Sequence, residues 1–207
     1  MAQRFFLYPI KFKLLIGLVC FFSIAEQGLA QQSSYSAITF AKEPKNIFSF
    51  TNKWDYPEGI IKHDDGKFEK TEGGKIEAVD TVHQYFTANC KTNVQGGYEI
   101  RYCYAQRKGE TINVDFSDGL PAYASSFHLI IKRNQFSFYP EIIYPELNMS
   151  KNVVYKTTGS HLELFNRPYG DSKIESGYIN ITFEEIVPGK NKPTKFYLKG
   201  YFKTAIN

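Results

Sequence analysis

The chain has three cysteines among 207 residues, and that scarcity excludes several kinds of chemistry. Cys20 lies in an apolar N-terminal stretch, which leaves Cys90 and Cys103 for the rest of the chain, with "KTNVQGGYEIRY" between them. That separation is too long for the C-x-x-C of a redox site, which sets both sulfurs at one helix start. A zinc site needs two further ligands at suitable spacing, and His63, His83, His128 and His161 offer no pair near the cysteines. The phosphate-cradling and dinucleotide glycine loops are missing, as is the G-x-S-x-G turn that exposes a hydrolase nucleophile. No cofactor and no metal is therefore expected. A strong excess of one charge is also lacking: the formal charge is +4, and short groups such as "KRN" and "PGKNKPTK" read as solvated turns. A nucleic-acid partner would call for a concentrated basic surface, so none is expected.

Long apolar runs are absent except at the start. "MAQRFFLYPIKFK" carries Arg4, Lys11 and Lys13 and leads into "LLIGLVCFFSIA" and then "EQGLAQQ". A basic head, an apolar run and small residues at Gly28 and Ala30 are the parts of a secretory signal peptide. The run is shorter than the roughly 20 residues a membrane-spanning helix needs. The expectation is a signal peptide over residues 1–30 and one β-rich domain over 31–207, secreted or held in the periplasm or at the cell surface. Loss of the three basic residues and Glu26 would bring the charge from +4 to +2. In such a compartment two remaining cysteines most often form one bond, so a Cys90–Cys103 disulfide is expected, with two free buried thiols as the other reading. Closing that loop would stabilise the fold by about 3 kcal/mol.

What the chain has in abundance is aromatic: 15 Tyr and 18 Phe. Such residues suit a pleated, half-buried surface, and period-two alternation recurs along the sequence. "YEIRYCY" reads as one strand with Tyr98, Ile100, Tyr102 and Tyr104 on one face and Glu99, Arg101 and Cys103 on the other. "TINVDF" alternates Ile112, Val114 and Phe116 with polar residues, and "RKGE" between these runs is a hairpin turn with Gly109 free to take positive φ. "SFHLIIK" and "QFSFYP" flank "RN" as a second hairpin, "NVVYKTT" and "HLELFN" flank "GS" as a third, and "GYINITFEEI" and "KFYLKGYFKTAI" form a fourth. Upstream, "YSAITF", "IFSFTN" and "KFEKT" read as further strands. The fold class is mainly β, an antiparallel sandwich or barrel of about 8–10 strands. One helix is expected near residues 80–89, because Val79, Val82, Tyr85, Phe86 and Cys90 fall at helical spacing.

The C-terminal motif, "GYINITFEEI" followed by "FYLKGYFKTAIN", resembles the close of many small exported bacterial β-proteins, where G-x-I-x-I-T leads into a last strand with G-x-F. The resemblance covers about thirty residues. It implies a sandwich or lipocalin-like barrel, mostly of unassigned function, and carries over no functional residue.

Candidate chemistry is thin. His63, Asp64 and Asp65 in "KHDDGKF" supply ligand atoms, but adjacent strand residues point to opposite faces and D-G is a turn signal. His161 and Glu163 in "SHLELF" share a strand face without a third partner, which reads as a polar outer surface. Binding is the more economical function. Trp54 and Tyr56 in "NKWDYPEG", Tyr123 in "LPAYAS", Tyr144 in "IIYPEL" and Tyr169 in "NRPYGD" are aromatic residues in loop-like segments, suited to stacking on a sugar or anchoring a protein. The expected function is a non-catalytic exported binding or interaction protein, its partner a protein, a glycan or a small apolar ligand. A small secreted hydrolase with a dispersed site, or a lipid or small-ligand carrier with a hollow interior, is the alternative. Asn148-Met149-Ser150 and Asn180-Ile181-Thr182 match the glycosylation pattern, which matters in a eukaryotic secretory pathway.

Overall fold

The computed structural model describes residues 34–118, 125–143, 153–167 and 173–207. In chain order the strands are β1 (Ser36–Ala37), β2 (Thr39–Phe40), β3 (Trp54–Asp55), β4 (Ile60–Lys62), β5 (Phe68–Lys70), β6 (Gln84–Tyr85), β7 (Ala88–Thr92) and β8 (Tyr98–Ile100). They continue as β9 (Tyr102–Lys108), β10 (Thr111–Ser117), β11 (Ser126–Lys132), β12 (Gln135–Glu141), β13 (Val154–Leu164), β14 (Ile174–Ile186) and β15 (Thr194–Ala205). One sheet has the order β1-β12-β11-β10-β9 and the other β2-β13-β14-β15-β7-β8; β3 pairs with β6 and β4 with β5 as separate ribbons. Among the described residues every strand pairing is antiparallel except the short β2–β13 contact, and one isolated parallel bridge joins Ala105 to Ile206.

Alternation decides which face goes inside. Ile112, Val114 and Phe116 of β10, Phe127, Leu129 and Ile131 of β11, and Ile179 and Ile181 of β14 are all fully buried. Their rings and branches meet across the gap between the two sheets: Phe116 lies edge-on to Phe202 at 5.3 Å and Phe127 to Phe183 at 6.2 Å. The aligned, apolar-in arrangement is a β-sandwich, and neither sheet closes on itself to make a barrel. The space between the sheets is occupied by side chains of Phe, Ile and Leu. The "RKGE" and "RN" turns are where the alternation placed them, with Gly109 at φ +60° and Arg133 at φ +56°. In the last hairpin Ile179 faces Gly200, Ile181 faces Leu198 and Phe183 faces Phe196.

Four local expectations are corrected. The helix near residues 80–89 does not form. A single 3-10 turn spans Ala78–Thr81, held by a capping box between Glu77 and Asp80, and β6 and β7 follow it. Val79 and Val82 are exposed, so the helical spacing buries nothing, whereas alternation in β7 buries Ala88, Cys90 and Thr92 against β15. The segment "YEIRYCY" is two strands: the chain leaves one sheet after Ile100 and enters the other at Tyr102. Ile100 and Cys103 both face the core, and Arg101 is the corner between them. "NVVYKTT" and "HLELFN" are one strand, β13, whose "GS" makes a register shift between Thr157 and Gly159 instead of a hairpin. "IFSFTN" contains a 3-10 turn, Ser49–Asn52.

The expected Cys90–Cys103 disulfide is not present in the structure. Both cysteines are free, fully buried thiols. The Cys90 thiol donates to the Tyr201 carbonyl at 3.6 Å and the Cys103 thiol to the Thr87 carbonyl at 3.2 Å. Burial pushes the Cys103 thiol up to about 12, and burial reinforced by nearby Cys103 raises Cys90 well above the usual thiol range. Such groups are packing residues, not nucleophiles, at neutral pH.

Candidate functional site

Strands β3 and β6 form a two-stranded ribbon in which Trp54 stands opposite Tyr85 and Asp55 opposite Gln84. Alternation gives the ribbon two unlike faces. On one, the Trp54 indole lies flat on the His83 imidazole, ring centres 3.4 Å apart and planes 12° apart. Tyr56 meets both edge-on at 5.3 Å and packs edge-on against Phe68 at 5.0 Å. The Tyr56 hydroxyl lies 3.4 Å from His83 Nε2. Pro57 sets the exit from this ladder: the Ile60 amide donates to the Pro57 carbonyl at 3.1 Å, with Gly59 at φ +74°.

The other face turns toward Arg101. At the corner between β8 and β9 its guanidinium donates to the Asp55 carboxylate and, at 3.2 Å, to Asp118 Oδ1. Three further side chains, Tyr102, Tyr104 and Glu58, complete a surface pocket of about 260 Å³ that also touches Tyr56 and Gln84. Three carboxylates against one guanidinium leave the pocket with excess negative charge. Burial raises the Asp118 carboxyl, an effect Arg101 partly reverses, and Glu58 is raised by desolvation and by the charges of Asp118 and Glu72. The Tyr102 phenol is raised by burial and by Asp55. The site is thus an aromatic ladder beside an acidic pocket, with Trp54, Tyr85 and Tyr104 all more than a third exposed.

Trp54 and Tyr56, expected as binding residues, are brought together here. Tyr123, Tyr144 and Tyr169 lie outside the described residues. Arg101, Asp118 and His83 were missed, although a lone arginine among the apolar residues of "YEIRYC" was the available signal. His161 lies 3.8 Å from Glu163 on the outer sheet face. A further group joins residues far apart in sequence: His128 Nδ1 lies 2.7 Å from Asp115 and Nε2 3.3 Å from Glu141, with the ring stacked on Tyr139 at 4.5 Å. Both ring nitrogens thus face carboxylates. Among the described residues no three His, Cys, Asp or Glu side chains gather to hold a metal, and no helix is long and apolar enough to cross a membrane. No family model matches the chain, and neither a curated protein nor a solved structure matches it, so the chemistry of this site is read from its own residues.

Proposed function

We propose that this chain is an exported, non-catalytic binding protein that docks a protein partner on the Trp54–Tyr85 ribbon and seats a basic side chain of that partner in the pocket beside Arg101. The observation that carries this reading is the charge inside an aromatic wall. Arg101 is already engaged by Asp55 and Asp118, while Glu58 has no ion pair among the described residues. A cation entering there meets carboxylates and tyrosine side chains, both of which favour it.

The surrounding surface fits a protein better than a sugar. Val79 and Val82, just ahead of His83, are 66% and 57% exposed, and Tyr85 is 56% exposed. Trp, Tyr and Arg are the residues enriched at interface anchors, and the two valines add exposed apolar surface next to His83 in the chain. An interior filled by Phe, Ile and Leu speaks against the hollow carrier. Export is supported by the basic head, apolar run and small residues of positions 1–30.

Selection from a displayed random-peptide library tests the reading. Enriched peptides should carry Lys or Arg next to apolar residues, and Trp54→Ala should weaken a selected peptide by about tenfold or more, the cost of losing an anchor. Glu58→Gln should reduce the preference for the basic residue. Peptides without that preference, or binding indifferent to Trp54→Ala, would reject it.

A further inference from the structure

The outer face of the larger sheet carries a second feature, independent of the Arg101 pocket. Alternation along β7, β14 and β15 turns Asn89 and Lys91, Tyr178 and Asn180, and Tyr197, Lys199 and Tyr201 away from the core, and these side chains line a shallow groove of about 680 Å³. The strand register arranges them in rows. Lys91 faces Lys199, which faces Asn180 on its other side; Asn89 faces Tyr201, which faces Tyr178. The Tyr178 and Tyr201 ring centres are 4.8 Å apart, with their planes tilted by 49°. Tyr197 stands four residues along β15 from Tyr201, about 13 Å at the rise of an antiparallel strand, so the lysine row lies between two tyrosine positions.

The lysine row is electrostatically unfinished. Like charges directly opposite on neighbouring strands repel. Lys91 has one ion pair, with Glu99 at 3.2 Å, in which both side chains are about two-thirds exposed and the gain is small. Lys199 has no carboxylate within 4.0 Å among the described residues. No carboxylate lines the groove itself. Two amides flank the lysines, and each presents a donor and an acceptor together, the pattern that adjacent sugar hydroxyls match. The tyrosine faces offer flat apolar surface for a pyranose ring.

From this charge and ring pattern we infer that the groove binds a stretch of acidic polysaccharide, with a uronate carboxylate seated between Lys91 and Lys199 and sugar rings lying on Tyr201 and Tyr197. The open outer face of a sheet suits a linear chain. The negative pocket beside Arg101 would repel the same ligand, so the two surfaces select opposite charges.

Three probes distinguish the sources of binding: oligogalacturonate, its methyl ester, and poly-L-glutamate, compared by calorimetry at low salt. Oligogalacturonate should bind, and the neutral ester and the ring-free polyanion should each bind at least about tenfold more weakly, since the first lacks the charge and the second the stacking faces. Lys199→Gln, an exposed change that leaves the sheet intact, should weaken oligogalacturonate by about three- to tenfold, as should Tyr201→Ala, with Lys190→Gln in the distant turn as an unaffected control. Absence of oligogalacturonate binding would overturn the inference. Equal binding of the ester would remove the role of the lysines. Poly-L-glutamate binding as tightly, together with an inert Tyr201→Ala, would make the groove a general polyanion surface and reject the saccharide.

Discussion

Gly200 stands directly across from Cys90 in the β15–β7 pairing, and the backbones approach so closely that a Cβ on Gly200 would lie 2.2 Å from the Asn89 carbonyl oxygen and 2.5 Å from the Cys90 Cα. With φ at +153° the position also has a backbone conformation that side chains rarely adopt. Gly200→Ala should therefore push β7 outward and lower stability by about 1–3 kcal/mol in urea unfolding, the usual cost of overpacking. Gly189→Ala, at a turn with nothing within 4 Å, carries only the strain of its positive φ, about 1–2 kcal/mol, and should be the smaller loss. Equal urea midpoints for the two variants would contradict the close β7–β15 approach.

The state of the two core cysteines is open to direct titration. Two fully buried thiols, both raised above the ordinary range, should resist a thiol reagent in the folded protein at pH 8. In guanidinium without reductant, a chain lacking residues 1–30 should then release two reactive thiols. Recovery of none until a reductant is added would show that the cysteines are bonded in the isolated protein.

Glu175 of β14 is fully buried, and among the described residues neither carboxylate oxygen has a hydrogen-bond partner of ordinary geometry. Burial raises its carboxyl from 4.5 to about 8, against smaller opposing effects of the Ser176 amide and the Arg107 charge. An acid held protonated in the folded state binds its proton more tightly there than when unfolded. Below pH 4.5 both states carry the proton and stability is full; between pH 4.5 and 8 the unfolded chain ionises first and stability falls, levelling above pH 8. The decline should be on the order of 3–5 kcal/mol in unfolding experiments across that range, and Glu175→Gln should flatten it. A wild-type profile already flat between pH 5 and 8 would show that Glu175 ionises normally.

Trp54 is 39% exposed on a two-residue strand, whereas Phe202 is fully buried between the sheets. Acrylamide should quench the single tryptophan readily. Trp54→Ala should cost about 1–2 kcal/mol of stability, the loss of a partly exposed ring stacked on His83. Phe202→Ala should cost about 3–5 kcal/mol. Comparable losses for the two would place Trp54 in the core and remove it as an anchor.

Regular alternation was enough to locate β10, β11, β12, β14 and β15 and the turns between β9 and β10 and between β11 and β12, because each hairpin is a local event. Side-chain period, turn residues and neighbouring partners all lie within about twenty residues, and one buried face leaves a single register. Tertiary pairing decided what this local signal could not. The apolar spacing over residues 79–90 fits a helix when read alone, but β15 offers β7 a complete row of backbone partners from more than a hundred residues away, and Val79 and Val82 are left outside. At Arg101 the chain changes sheets, which breaks the alternation of "YEIRYCY" at a residue that lines the acidic pocket. At Thr157–Gly159 an irregular step within β13 imitates a turn. Trp54 and Tyr56 could be singled out because Pro57 and Gly59 mark a turn beside them. Their meeting with His83, Arg101 and Asp118 could not, because those contacts depend on where non-adjacent strands pair and on sheet twist, neither of which is written in any one segment.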